Sequence, residues 1–183
     1  MVIVVTGTIG VGKTTVCRRL VEVLQSRGYT CGGILTYKTA DGSIIVEDIQ
    51  SGQRETLGSI NNVYDGPRTA RYFFNPEGID FGIQAIDKGT CAAILVVDEI
   101  GHLELRGEGF VKVIELIRTG KVRNCVLVIR KELLSAFLSQ LNIEPFIFHT
   151  TLSRRNRLPQ EIEALMTEKL VDNKETLQLK ESP

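Results

Sequence analysis

Residues 7–14, Gly-Thr-Ile-Gly-Val-Gly-Lys-Thr, have the spacing G-x-x-x-x-G-K-[ST] of a phosphate-binding loop. The glycines allow successive backbone N–H groups to turn toward phosphate oxygens. Lys13 can neutralise charge on the β- and γ-phosphates, and the hydroxyl of Thr14 can ligate Mg²⁺. We therefore expect this segment, called the phosphate loop below, to bind a nucleotide with Lys13 as a catalytic cation.

The segments on either side of the phosphate loop are those that the motif requires. Residues 2–5 are an apolar run that predicts a buried strand. Residues from Thr14 to about Gly28 have apolar side chains at helical spacing, which predicts a helix with one buried face. The loop would then lie at a helix N-terminus, where unpaired N–H groups and the helix dipole favour a bound anion.

A second group of polar residues follows an apolar run at residues 92–97, which is typical of a central parallel strand. This run ends in Asp98 and Glu99, and a hydrophobic strand that ends in Asp is the Walker B pattern. Asp98 is expected to hold Mg²⁺ opposite Thr14, and Glu99 can orient and deprotonate a water for attack on the γ-phosphate. Glu104 can cap the next helix or lie near the metal, and we favour the structural role.

The same residues 98–101 also satisfy D-x-x-G, which senses the γ-phosphate in regulatory GTPases. A guanine switch would also need an N-K-x-D string. The nearest match, Asn173-Lys174-Glu175-Thr176, lacks the Asp. The sequence therefore contains no visible source of guanine selectivity.

Arginines follow two further predicted strands. Arg130 follows residues 124–129, and its guanidinium can either stabilise charge on the γ-phosphate or remain solvated. Residues 153–157 contain three arginines after the last predicted strand. These arginines can either contact the base of a bound nucleotide or form a solvated basic loop.

The remaining patterns predict alternating strands and helices. Strands are expected at Cys31–Lys38 and residues 44–49, which form an antiparallel hairpin, and at residues 124–129 and 145–149; helices are expected at residues 79–89, 110–118, 131–141 and 160–171. Residues 51–78 are predicted to be surface loop with one short strand at most. This alternation predicts an α/β fold with a mostly parallel sheet flanked by helices. We expect one domain over residues 1–171 and a polar, frayed tail over residues 172–183.

Composition limits the partners. Lys and Arg together number 22 and so do Asp and Glu, so there is no net positive charge to attract nucleic acid or an anionic membrane. The first residues lack the pattern of a signal peptide, and no apolar run approaches a membrane span, so we expect a cytoplasmic protein. The four cysteines are widely spaced, and we interpret them as buried thiols rather than metal ligands. The oligomeric state cannot be read from the sequence, although a monomer is slightly favoured.

The chain resembles the small P-loop nucleoside-triphosphatases of thermophilic bacteria and archaea, whose relatives include the human cancer-related nucleoside-triphosphatase. The resemblance rests on residues 7–15, 32–36, 51–52 and 98–105 and on Asn156-Arg157. It implies a RecA-like fold and Mg²⁺-dependent hydrolysis of several nucleoside triphosphates, including ATP, GTP, CTP and UTP. The motifs and the resemblance together assign nucleotide binding to Gly7, Thr8, Ile9, Gly10, Val11, Gly12, Lys13, Thr14, Thr15, Asp98, Glu99, Ile100, Gly101, His102, Asn156 and Arg157, with Thr14 and Asp98 as metal ligands.

The predicted hairpin departs from the family pattern. Relatives carry an acidic residue after the hairpin threonine, whereas this chain has Tyr37-Lys38. A Gly-Phe pair expected in the second hairpin strand is replaced by Ile44-Ile45.

Two other functions share the phosphate loop. A nucleoside or nucleotide kinase would transfer the γ-phosphoryl group to a bound acceptor, and the arginines of residues 153–157 could then form a lid. A nucleotide-dependent binding module would bind the nucleotide but hydrolyse it at a negligible rate. Glu99 favours the hydrolase only weakly, because a kinase can also use a carboxylate to activate an acceptor hydroxyl.

Overall fold

The computed structural model describes residues 1–141 and 143–180, with side chains to residue 170 in the last helix. Its centre is an eight-stranded sheet in the order β5-β4-β3-β2-β6-β7-β1-β8. The strands are β1 (Val2–Gly7), β2 (Cys31–Lys38), β3 (Ile44–Asp48), β4 (Arg54–Ser59), β5 (Phe73–Phe74), β6 (Ile94–Ile100), β7 (Cys125–Arg130) and β8 (Phe146–His149).

Strands β2, β6, β7, β1 and β8 are parallel to one another, whereas β3, β4 and β5 extend the β2 edge, each antiparallel to the strand before it. The mostly parallel sheet and the β2–β3 hairpin confirm the predicted α/β fold. Residues 51–78 were predicted to be surface loop with room for one short strand, and this was wrong in number, because the segment contains two strands, β4 and β5. In β4, Leu57 is the only large apolar side chain, so pairing with the hairpin rather than a sequence period defines the strand.

The described residues form six α-helices: α1 (Lys13–Ser26), α2 (Pro76–Gly89), α3 (His102–Leu105), α4 (Lys112–Arg118), α5 (Leu134–Leu141) and α6 (Leu158–Lys180). A 3₁₀ turn at Lys131–Leu133 leads into α5. Side chains of α1 and α6 pack with one face of the parallel strands, and those of α2, α4 and α5 pack with the other. Alternate residues of β1 enter the two cores, Val2 and Val4 on one side and Ile3 and Val5 on the other.

Three smaller expectations need correction. The short helix α3 was not predicted, and the final helix continues to Lys180 instead of ending at residue 171. Residues 181–183 of the predicted tail lie outside the described residues. Cys17, Cys31 and Cys125 are buried thiols as expected, but Cys91 is exposed in the turn after α2.

Within the described chain, no helix combines the length and the apolar character that a membrane span requires.

Strand order determines which residues meet at the carboxyl edge of the sheet. Strand β7 lies between β1 and β6, so the residues that follow all three strands come to the same edge. Gly7 at the end of β1 is the register partner of Arg130 at the end of β7. The β6–β7 ladder is irregular between Val97 and Ile100, where the Asp98–Glu99 peptide bond is cis. The sheet thus brings the phosphate loop, Arg130 and the 98–101 segment together.

Candidate active site

The phosphate loop joins β1 to α1 and turns through backbone conformations that depend on glycine. Gly12 has φ +101°, in the left-handed region that L side chains rarely adopt, and it immediately precedes Lys13 at the start of α1. The carbonyl of Gly12 accepts the first helical hydrogen bond, from the Val16 N–H at 3.0 Å. The loop therefore leads directly into the helix N-terminus, as the motif predicts.

The ammonium group of Lys13 lies inside the loop. Its Nζ donates to the carbonyls of Gly7 at 3.1 Å and Thr8 at 3.0 Å, and the residue is only 7% exposed. Burial lowers the pKa of Lys13, and the nearby carboxylate of Glu99 opposes that shift. The lysine is thus held at the loop, in position to exchange carbonyl contacts for phosphate oxygens.

Asp98 is fully buried beneath the site. Its Oδ2 accepts from the Thr36 N–H at 3.4 Å, while its Oδ1 has no hydrogen-bond partner among the described residues. Burial raises the pKa of this carboxyl to about 7, with a further contribution from Glu99, while the nearby Thr14 hydroxyl acts against the rise. A buried carboxylate oxygen without a partner, close to a threonine hydroxyl, is the oxygen donor set that Mg²⁺ prefers. The residues present therefore fit a Mg²⁺ ion between Thr14 and Asp98.

Glu99 and Arg130 form an ion pair at the end of β6 and β7. The Nε of Arg130 donates to Oε1 of Glu99 at 2.5 Å, and both side chains are about one-fifth exposed, at 22% for Glu99 and 23% for Arg130. Burial acts against the charge of Arg130, but the bond to Glu99 raises the pKa of the guanidinium above its ordinary value. The sequence placed these residues at the same edge but did not predict that they contact each other.

Glu104 has a structural position. Its Oε2 accepts from the N–H of Gly101 at 2.7 Å and its Oε1 accepts from the N–H of Phe110 at 2.9 Å. The residue is 5% exposed, and burial raises the pKa of its carboxyl while the two backbone donors oppose the shift. Both oxygens are therefore engaged by backbone, which matches the favoured structural interpretation.

The structure brings much of the predicted set to one pocket of about 270 Å³, called the phosphate pocket below. Its lining includes the predicted residues Ile9, Gly10, Gly12, Lys13, Thr14, Glu99 and Arg130. It also includes three hairpin residues that sequence reasoning did not assign, Thr36, Tyr37 and Lys38. A signal was available for Thr36, which the resemblance includes, but not for Tyr37 and Lys38, which depart from the family pattern.

Other predicted contact residues lie outside the lining of this pocket. Gly7, Val11 and Ile100 are buried, and the amide of Gly101 is bonded to Glu104. Thr8 is exposed, Thr15 is half-buried, and His102 is exposed at the start of α3.

Asn156 and Arg157 are both exposed, and they lie before α6. Oδ1 of Asn156 accepts from Nη1 of Arg19 on α1 at 2.8 Å. The neighbouring Arg155 lies beside the phosphate loop, since its Cδ is 3.3 Å from the position that a Cβ on Gly12 would occupy. Arg155 was part of the basic run noted in the sequence, but the run alone could not distinguish it from Arg154, which pairs with Glu161.

Known proteins resemble this chain in sequence and in fold. The nucleoside-triphosphatase THEP1 of Archaeoglobus fulgidus is 29% identical over 170 residues, covering 91% of this chain and 99% of that protein. The THEP1 of Methanothermobacter thermautotrophicus is 33% identical over 141 residues, covering 74% of this chain and 80% of that protein.

Two solved structures share the fold. The crystal structure of THEP1 from the hyperthermophile Aquifex aeolicus has a TM-score of 0.73 at 19% identity, covering 90% of this chain and 98% of that one. The solution structure of a human cancer-related nucleoside triphosphatase has a TM-score of 0.71 at 22% identity, covering 91% and 97%. A family model described as NTPase matches residues 2–163, almost the whole described chain, and this protein therefore belongs to that NTPase family.

Proposed function

We propose that this protein hydrolyses nucleoside triphosphates to the diphosphate and inorganic phosphate, with Glu99 activating the attacking water. The main support is one observation: Lys13, Glu99 and Arg130 all line the same pocket at the phosphate loop. Two cations beside a carboxylate suit a reaction in which negative charge is stabilised while a proton is removed from water.

Substrate binding begins with the phosphates in the loop. Backbone N–H groups at the start of α1 face the phosphate oxygens, and Lys13 moves its hydrogen bonds from the carbonyls of Gly7 and Thr8 to the β- and γ-phosphates. Thr14 and Asp98 would hold Mg²⁺, which when bound offsets charge on the phosphate oxygens.

Glu99 then takes a proton from a water whose oxygen forms a bond to the γ-phosphorus. The bond between that phosphorus and the β–γ bridging oxygen breaks, and its electron pair stays with the leaving diphosphate. Arg130 has five N–H donors and uses one of them, Nε–H, on Glu99. Its remaining N–H groups can turn to the γ-phosphate. One guanidinium then orients the general base, Glu99, and stabilises the negative charge on the γ-phosphate.

We extend the proposal to ATP, GTP, CTP and UTP as substrates, turned over in the cytoplasm by a single copy of the chain. Phosphate contacts do not distinguish bases, and Oδ1 of Asn156, the side-chain atom that could accept a hydrogen bond from a base, already accepts from Arg19. We expect rates for the four triphosphates to differ by less than about 100-fold, which corresponds to about 2.7 kcal/mol.

The decisive experiment follows free phosphate from Mg·ATP in the presence and absence of a panel of nucleosides. Release that does not depend on an added nucleoside supports the hydrolase, whereas a phosphorylated nucleoside would assign the chain to the kinases. Lys13→Ala should abolish measurable turnover and remove most affinity for a nonhydrolysable triphosphate. Lys121→Ala, which removes an exposed lysine from a turn, is the matched control and should leave both unchanged.

A further inference from the structure

A second cavity of about 220 Å³ adjoins the phosphate pocket. The two share a wall formed by Ile9, Thr36, Lys38, Glu99 and Arg130. The second cavity does not reach Gly10, Gly12, Lys13 or Thr14, nor Arg155 and Asn156 on the α6 side of the loop. It therefore begins at the Glu99–Arg130 pair and extends away from the phosphate loop.

The walls of this second cavity are mainly apolar and partly aromatic. They come from the antiparallel edge of the sheet and from the segments that face it, and they consist chiefly of Ile44, Leu57, Tyr72, Phe74, Ile79 and Phe110. The rings of Tyr72 and Phe74 meet edge to face, with centroids 6.4 Å apart. A concave apolar site with a few polar groups at one end is the usual form of a small-molecule site, and these walls suit a flat hydrophobic body.

The charge at the rim of the second cavity is positive and uncompensated. Lys38 and Arg71 are exposed lining residues, and neither pairs with a carboxylate within the described part of the chain. Each instead lies by the Tyr72 ring, with Nζ of Lys38 at 5.9 Å and Cζ of Arg71 at 5.5 Å from its centroid. Of the two acidic lining residues, Glu99 is paired with Arg130, and both oxygens of Glu104 accept from backbone amides. An anionic group at the rim would therefore meet cations without a competing free carboxylate.

We propose that this second cavity binds a second small ligand, an aromatic molecule with one anionic group, beside the γ-phosphate position of the nucleotide. The aromatic body lies among Leu57, Phe74 and Phe110, and the anion lies at Lys38 and Arg71. This inference relies on the proposed function only for the location of the γ-phosphate. The second cavity meets the phosphate pocket only at their shared wall, so the ligand and a nucleoside diphosphate bind at the same time.

The test uses 2-naphthoate as the probe and 2-naphthamide as its uncharged counterpart. Titration of the full chain by calorimetry should give saturable naphthoate binding with a Kd of about 1 mM or lower, and at least about fivefold weaker binding of the amide. Arg71→Gln should weaken naphthoate binding by about fivefold or more while leaving hydrolysis unchanged. Arg118→Gln, which replaces an exposed arginine on α4, is the matched control and should change neither naphthoate binding nor hydrolysis.

Methyl-labelled protein locates the probe. Naphthoate should shift the methyl resonances of Leu57, Ile79 and Leu103, and saturating ADP should leave its Kd within about threefold, because the two sites are distinct. Equal affinity for the amide, shifts confined to other methyl groups, or competitive displacement by ADP would each overturn the proposal. The binding and resonance measurements do not depend on turnover, so loss of the proposed hydrolase would not remove the site, nor would loss of the site remove the hydrolase.

Discussion

Arg130 donates its Nε–H to Oε1 of Glu99 at 2.5 Å across the ends of two adjacent parallel strands, β7 and β6. The pair places a carboxylate that can accept a proton next to a cation that can stabilise phosphate charge. Since both residues also line the phosphate pocket, the contact fixes their orientation toward the same space. A change in either side chain will therefore affect the other.

Glu99→Gln should separate proton transfer from binding. Glutamine retains the shape and an oxygen for Arg130 but cannot accept the proton of water, so kcat should fall by about 100-fold or more while affinity for a nonhydrolysable triphosphate survives. Steady-state kinetics and equilibrium binding measure the two quantities. Glu108→Gln, which alters an exposed Arg106–Glu108 pair, is the control and should leave kcat unchanged. A Glu99→Gln enzyme at nearly the wild-type rate would mean that another group is the base.

Asp98→Asn should produce a different defect. The amide still presents an oxygen to the Thr36 N–H but lacks the negative charge that would hold Mg²⁺, so the Mg²⁺ concentration for half-maximal rate should rise by about tenfold or more. Excess Mg²⁺ should restore part of the activity. The measurement is a Mg²⁺ titration of phosphate release at fixed ATP. An unchanged titration curve would remove Asp98 from the metal site.

Glu104→Gln should affect folding more than catalysis. Only one oxygen remains to accept from the N–H groups of Gly101 and Phe110, so one buried donor loses its partner at a cost of about 1 to 3 kcal/mol in the free energy of unfolding. Urea denaturation measures this loss. The kcat of the folded variant should stay within about threefold of wild type, because Glu104 contacts no reacting atom. An inactive but stable Glu104→Gln protein would transfer the role of base to this residue.

Gly33→Ala should destabilise the junction of β2 and β6. Gly33 has φ +99°, and a Cβ there would lie 2.1 Å from the carbonyl oxygen of Val96. Backbone strain and the collision together should lower the free energy of unfolding by about 3 kcal/mol or more. Gly120→Ala is the matched control, since Gly120 has φ +69° with no atom near the added Cβ. It should cost only the strain, about 1 to 2 kcal/mol. Equal losses of unfolding free energy in the two variants would show that an added Cβ at position 33 does not collide with the carbonyl oxygen of Val96.

The parts of the fold that the sequence predicts well are those with a strong local pattern. The apolar run of β6 and the periodic face of α1 define these elements without help from distant residues. Strand β4 has no such pattern, and it exists because β3 offers a free edge for pairing. The aromatic residues Tyr72 to Phe74 were a strand signal, but β5 is only two residues long and its neighbours are polar.

The candidate site likewise has parts that a local motif predicts and parts that depend on tertiary packing. The phosphate loop and the acidic segment follow from residue type and spacing, because these local motifs must follow strands. The ion pair between Glu99 and Arg130 depends on β7 lying between β1 and β6, and strand order is not encoded in any one segment. Arg155 beside Gly12 likewise depends on how α6 packs against α1, which the basic run does not reveal.

The antiparallel edge has a consequence for how proteins with this architecture can diversify. The phosphate loop lies in the parallel half of the sheet, whereas Ile44, Leu57 and Phe74 of the second cavity come from β3, β4 and β5. Substitutions in these edge strands can change the shape of that cavity without altering the loop. The walls of that cavity and the phosphate loop are thus free to evolve as separate modules within one continuous sheet.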